Sequence, residues 1–382
     1  MTDTPSSLSE RILLQFAEET GLTSSRVPRR YLWTDAFAVC GFLAHHRRTG
    51  QERFLELATR LVDQVHQVLG RHRSDDVRQG WISGLSEEEG AERPTAGGLR
   101  IGKTEPERAG QGPYDSRREW DRDGQYYHYL TRWMHALNRV WRTTEDERFH
   151  RWAVELAAAA HRGFVRRDAS GLTMHWKASI DLSRPLVPSM GHHDPLDGRV
   201  EIQALRATAP RTVGDSTELL RREAMELDQL CRGRSWVSDD ALGIGGLLIA
   251  ALQASQVRLH GMPLDARLEA SVLRDSWISL DEYARHERPG VPAIQRLAFR
   301  ELGLALGLRA AQRVGSLPRP PFEPDSEHAW ATMVRARVGI AERIEAFWSR
   351  PEHREVASWT DHADINAVML AVSLEPSGYL DL

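Results

Sequence analysis

The sequence predicts an all-α protein in which six helical hairpins close into a ring, with one helix of each pair inside. Three observations predict it. Helical periodicity dominates the chain, amphipathic segments alternate with segments that are apolar nearly all round, and the two longest irregular stretches, 72–124 and 165–194, both precede segments of the second kind. A helix with one apolar stripe lies on a surface, whereas one without a solvated face is buried on every side. Regular alternation of the two describes an outer and an inner layer.

Taken in order, the expected helices run over 7–20, 32–48, 51–71, 125–143, 146–164, 195–208, 215–231, 240–257, 264–286, 292–314, 327–348 and 361–374, with the buried kind in even places. The third repeats Phe54, Leu57, Ala58, Leu61, Val62, Val65 and Leu69 at three-and-four spacing. The fifth does the same with Phe149, Trp152, Ala153, Leu156, Ala157, Ala160 and Phe164, behind Glu145 and Asp146, which suit a helix amino terminus. The ninth is less regular. The even-numbered segments read YLWTDAFAVCGFLA, QYYHYLTRWMHAL, ALGIGGLLIAAL and LGLALGL, with no polar face. Links from an inner helix to the next outer one are short, as at Thr49-Gly50 and Thr144-Glu145. All 382 residues are expected to form one domain.

A 41% hydrophobic and 27% charged composition supplies a large core. The 50 basic and 54 acidic residues are interspersed and net −4, so no basic surplus marks a nucleic-acid binder. Two cysteines, Cys40 and Cys231, are too few for a disulfide framework or a thiolate metal site. The amino terminus lacks a basic start and an apolar core, and no run reads as a membrane span, so a cytoplasmic protein is expected.

With these segments in place, the chain resembles the six-hairpin, (α/α)6-barrel proteins, a superfamily of many glycoside hydrolases, unsaturated-uronide hydrolases and sugar 2-epimerases. The resemblance is one of topology and covers almost the whole chain. It implies a pocket at the amino-terminal ends of the inner helices, bordered by the loops that precede them. No sequence signature carries catalytic residues across.

The starts of the inner helices are rich in chemistry. PSMGHHDPLDG, before the sixth helix, holds His192, His193, Asp194 and Asp197; the second start offers Arg30, Trp33 and Asp35; the fourth, Asp123, Gln125, Tyr126 and His128; the twelfth, Trp359, Asp361 and His362. Trp176 and Lys177 belong to an alternating stretch with Leu172 and Met174 that reads as a strand on the rim. Carboxylates beside aromatic rings suit a sugar, whose hydroxyls need partners and whose ring faces stack. The bland alternative is that Asp35, Asp239 and Asp361 only cap helices. A metal site at His175, His192, His193, Asp194 and Asp197 is disfavoured, because adjacent histidines usually point apart and no ligand spacing pattern is present. The GxxxxGK-like run from Gly97 to Thr104 lacks the flanking strand and helix of a phosphate loop. The long loop 72–124, rich in Gly, Glu, Arg and Pro, reads by composition as mobile.

Hydrolysis with inversion needs one protonated carboxyl and one carboxylate about 6.5–9.5 Å apart. The sixth and twelfth helices would face each other across a six-hairpin ring, which makes Asp194 and Asp361 the expected pair. The alternative is a sugar epimerase or aldose–ketose isomerase working through His193 and His362, since imidazole titrates near working pH. A non-catalytic toroid that only binds is the third class, and the mixed Asp, His, Arg and Trp starts argue against it. No cofactor is expected, and the expected partner is a small carbohydrate.

Overall fold

The computed structural model describes residues 4–110, 112–169, 171–215, 218–286, 290–317 and 324–382. Its long helices follow the expected order: α1 Pro5–Glu19, α2 Leu32–Thr49, α3 Glu52–Leu69, α4 Tyr127–Thr144, α5 Glu147–Phe164, α6 Asp194–Ala207, α7 Arg221–Cys231, α8 Ala241–Leu259, α9 Ala266–His286, α10 Ala298–Val314, α11 Pro324–Ser349 and α12 Ala363–Leu374. The chain divides into two compact units. One comprises Ala17–Leu43 and Gln51–Arg232; the other comprises Met1–Phe16, Ala44–Gly50 and Gly233–Leu382.

In the 17–232 unit, α3 turns Phe54, Ala58, Leu61, Val62, Val65 and Leu69 inward as its spacing requires. Its neighbour α4 is buried along almost its whole length, from Tyr127 to Val140, with His128 the half-exposed exception. The hairpin between α4 and α5 is closed by Glu145 in the left-handed region at φ 56° and by Asp146, whose carboxylate accepts the Arg148 amide at 3.0 Å. Helix α6 packs against α4, α5 and α7. Proline at its second position fixes the entry of α6, which is buried from Asp194 to Leu205.

Two small antiparallel ladders edge this unit. β1 (Gln125–Tyr126) pairs with β4 (Lys177–Ala178), and β2 (Val165–Asp168) pairs with β3 (Gly171–Met174). The first ladder carries the chain straight into α4. The expected strand on the rim is thus present, split between two partners.

In the 233–382 unit, α8 packs closely on α10, and α9, α11 and α12 cover them. Glycines make the α8–α10 approach: a Cβ on Gly245 would stand 2.1 Å from the Gly303 carbonyl oxygen, and one on Gly307 2.5 Å from the Gly245 Cα. Helical glycine costs about 1 kcal/mol against alanine, so these positions exchange local propensity for packing. Helix α8 is long and apolar enough to cross a membrane, with a mean hydropathy of 1.3, which the sequence reading overlooked; 67% of that window is buried in the protein.

His66 of α3 is enclosed edge-on by Trp133 and Trp152, and its Nε2 accepts the Trp133 indole N–H at 3.1 Å. Burial pushes its pKa down to about 3. An unfolded histidine titrates near 6.5, so between the two values only the unfolded chain binds the extra proton. The contribution to stability is therefore lost as pH falls from about 6.5 toward about 3, by at most about 1.4 kcal/mol per pH unit. His66→Gln keeps an acceptor for Trp133 and is expected to flatten the acid side of a urea-unfolding stability profile; a slope identical to wild type would contradict this origin.

Candidate functional site

Helices α4 and α6 face each other with three bases opposite three carboxylates. His128 Nδ1 lies 3.6 Å from Asp194 Oδ1, Arg132 donates to Asp197 at 2.8 Å, and His135 Nδ1 lies 3.4 Å from Glu201. The spacings 128, 132, 135 and 194, 197, 201 place each set on one helix face. The two inner rungs are buried. The outer rung is looser and wetter, with the His128 side chain 28% exposed.

Around that outer rung the rings gather. Tyr126 stacks on His128 with centroids 5.4 Å apart and planes 14° from parallel. Trp33 and Tyr129 stand edge-on to His128, and Trp176 lies 5.1 Å from Tyr126. Tyr31 and Tyr129 share a hydroxyl hydrogen bond of 2.6 Å. Three polar atoms of residues in contact with His128, Asp194 Oδ2, Tyr126 Oη and Trp33 Nε1, are buried with no hydrogen-bond partner among the described residues. Buried polar groups are ordinarily satisfied, so orphans on three residues that all touch His128 set this cluster apart as the candidate site.

Asp194 is the first residue of α6; the cap position belongs to His193, whose side chain makes no capping bond. The helix-cap reading of Asp194 therefore does not describe it. Gly191 leaves room for its carboxylate, since a Cβ there would stand 2.3 to 2.6 Å from the carboxylate atoms. One turn on, burial pushes the Asp197 carboxyl up, against the pull of Arg132. His192 and His193 do not point apart as adjacent histidines usually do; their rings lie 4.6 Å from each other.

Other predicted site residues hold the scaffold. Arg30 pairs with Asp35 at 3.3 Å, and Asp35 reaches back to the Tyr31 amide at 2.9 Å. Gln125 accepts the Leu99 amide and donates to the Gly97 and Ile180 carbonyls. Asp123 takes Arg100 at 2.5 Å and the amides of Gly102 and Lys103. These bonds consume the amides that the phosphate-loop-like run would need. Lys177 is buried beneath Tyr126, donates to the Glu119 and Arg122 carbonyls and pairs with Glu119; burial pushes its pKa down to about 8.

The loop 72–124, whose composition suggests mobility, is tied at several points. Glu119 gathers Arg108 at 2.7 Å and Arg122 and Lys177 at 3.5 Å, while Arg78 binds Asp76, Glu107 and Asp181. Gln111 lies outside the described residues.

The remaining predicted residues belong to the 233–382 unit. Asp361 and His362 are exposed ahead of α12, and Trp359 is buried with its ring 5.5 Å from Trp348. The His362 ring lies 5.8 Å from Phe299, and the adjacent Arg300 pairs with Asp240. Asp240 caps α8 through the Gly243 amide, one residue after the Asp239 that the cap reading names. Sequence reading did not single out Arg132 or Tyr129 for the site, although their places one turn beyond His128 and three after Tyr126 carry that information. No group of three or more His, Cys, Asp or Glu among the described residues is arranged to hold a metal ion.

No protein-family profile matches the chain, and no curated protein matches it in sequence. In structure it is similar to the GH76A alpha-1,6-mannanase from Salegentibacter sp. HEL1_6, with 12% identity and a TM-score of 0.52 over 98% of this chain and 99% of that one. An inactive variant of that mannanase in complex with alpha-1,6-mannotetrose gives 12% identity and a TM-score of 0.54 over 99% of this chain and 100% of that one. A cellobiose 2-epimerase from Spirochaeta thermophila DSM 6192 has 13% identity and a TM-score of 0.48 over 91% of this chain and 86% of that one. The chain thus has the six-hairpin (α/α)6 fold that its alternating helices predict.

The rungs differ in what their loss should cost. Asp197→Ala removes the buried carboxylate that Arg132 donates to and is expected to destabilise the protein by about 3–5 kcal/mol. Asp194→Ala removes a carboxylate with one oxygen unpaired and the other loosely held, and should cost less than about 1 kcal/mol. Urea unfolding of the two variants measures the contrast, and equal losses would refute it.

Proposed function

We propose that the chain is a carbohydrate-active enzyme that seats a sugar ring against the wall formed by Trp33, Tyr126, His128 and Trp176, with Asp194 as its acid–base group. The carrying observation is the set of three unpartnered buried polar atoms on residues in contact with His128. A sugar presents apolar ring faces and a fringe of hydroxyls, so it matches a site with stacking surfaces and a few unsatisfied donors and acceptors. The fold likeness to an enzyme named as an alpha-1,6-mannanase supports the same substrate class.

Glycoside hydrolysis is the preferred chemistry. Asp194 gives its proton to the leaving oxygen as the glycosidic bond breaks, and water adds at the sugar carbon with a second carboxylate taking its proton. Asp361, expected from the sequence for that second role, belongs to the 233–382 unit. The contact between His128 and Asp194 favours a second reading, isomerisation or epimerisation. There His128, oriented by Asp194, would remove the proton next to the sugar carbonyl and return it.

The test is turnover in heavy water, with free aldoses and with α- and β-linked gluco-, manno- and galacto-oligosaccharides. Hydrolysis releases new reducing ends without deuterium at carbon, and isomerisation exchanges a carbon-bound hydrogen. In either chemistry Asp194→Asn should lower kcat by about a hundredfold or more while the unfolding midpoint stays close to wild type. A fully active Asp194→Asn variant, or a wild-type protein inert on the whole panel, would defeat the proposal.

A further inference from the structure

Trp120 does not behave as a core residue. It is 55% exposed, yet it sits at the end of the four-residue helix Ser116–Glu119 on a base that is fixed in several ways. Asp115 caps that helix through the Arg117 and Arg118 amides, Lys103 donates to the Trp120 carbonyl, and the buried Glu119 is gripped by Arg108, Arg122 and Lys177. A large exposed indole on a pinned backbone is an informative departure from ordinary surface composition.

Its ring continues the aromatic wall outward. Trp120 lies 4.8 Å from Trp176 with planes 33° apart, and Trp176 leads to Tyr126 and from there to His128. From Tyr126 outward exposure rises, from 1% there to 55% at Trp120, while His128 on the other side of Tyr126 is half-exposed. Polar atoms accompany the rings: the Trp176 indole N–H is engaged by Ser189 at 3.1 Å, and the Tyr126 hydroxyl is unpartnered.

Building on the proposed sugar site, the geometry points to a second saccharide subsite on Trp120 and Trp176, so that the substrate is a chain of at least two sugar units. The inner unit lies at the His128–Asp194 rung, and the outer unit stacks on Trp120 at the rim. The loop 72–124 thereby sets the length of the substrate, and its fixed anchoring keeps the outer platform formed before the ligand arrives, which saves ordering entropy on binding.

The experiment uses the full chain with an active-site-impaired Asp194→Asn background, so that ligands survive. Calorimetric titration compares mono-, di- and trisaccharides of the gluco, manno and galacto series, including cellobiose and α-1,6-mannobiose. In the series that binds, the second unit should tighten affinity by about tenfold, the scale of one aromatic stacking contact. Adding Trp120→Ala should erase that gain and leave monosaccharide affinity unchanged, while Trp120→Phe should keep part of it. A series in which monosaccharide and disaccharide bind equally, or a gain that survives Trp120→Ala, overturns the subsite and leaves the sugar site standing. Binding of no saccharide of any length overturns both.

Discussion

The α4–α6 charge ladder is the constraint on which the rest of the 17–232 unit depends. Two helices that each bury a row of ionisable groups can pack only in the register that pairs them, because an isolated buried charge costs several kcal/mol while a paired one is tolerated. Arg132–Asp197 and His135–Glu201 lock that register deep in the unit. The outer rung inherits it. His128 and Asp194 are held opposite each other by their neighbours one turn below, so their own contact need not be tight. That is the circumstance in which a carboxylate can keep one oxygen buried and uncommitted.

The second constraint is that the loops ahead of α4 and α6 carry charged residues that satisfy the loops themselves. Asp123, Gln125 and Lys177 look from the sequence like groups waiting for a substrate, but each closes on backbone carbonyls or amides. Their work is to hold Tyr126 and Trp176 against His128. Lys177 and Lys103 lie 5.4 and 5.9 Å from the Tyr126 ring centroid, so the ring that stacks on His128 is itself flanked by two ammonium groups. Loop composition is a poor guide to mobility when arginines and acids in the loop can find one another, as Arg78 does with Asp76, Glu107 and Asp181.

The helices were legible because burial imposes periodicity, and periodicity survives in a single sequence. Departures have local causes. α7 begins at Arg221, where residue 215 was expected, after a 3-10 turn at Arg211–Val213 and a left-handed Leu220 at φ 50°. α10 begins at Ala298, after the turn Ala293–Gln295 has used the residues assigned to its start. The concentration of chemistry at inner-helix starts was legible too. Which side chains close on the protein was not, because an aspartate at a helix start has the same spacing whether it holds Arg30, as Asp35 does, or keeps an oxygen free, as Asp194 does. The pairing of Arg132 with Asp197 was equally hidden: it depends on the relative register of helices whose partners stand 65 residues apart.

Both chemistries considered for the site turn on the same atom, the unpartnered Oδ2 of Asp194. Leaving a buried polar oxygen without a partner costs roughly 1–3 kcal/mol, and a fold tolerates that where the surrounding packing over-determines the position. Pro195 at the helix start, the absence of a Cβ at Gly191 and the rungs beneath supply that determination. Under the proposed function, a sugar hydroxyl donating to Oδ2 would meet that hydrogen bond. The proton's destination then separates the reactions. If Oδ2 transfers it directly to a glycosidic oxygen, His128 serves to balance the charge on the carboxylate; if His128 takes a carbon-bound proton, Asp194 serves to stabilise the imidazolium that forms. The distance of 3.6 Å between His128 and Asp194 is too long for a committed hydrogen bond, so neither group's geometry is spent on the other.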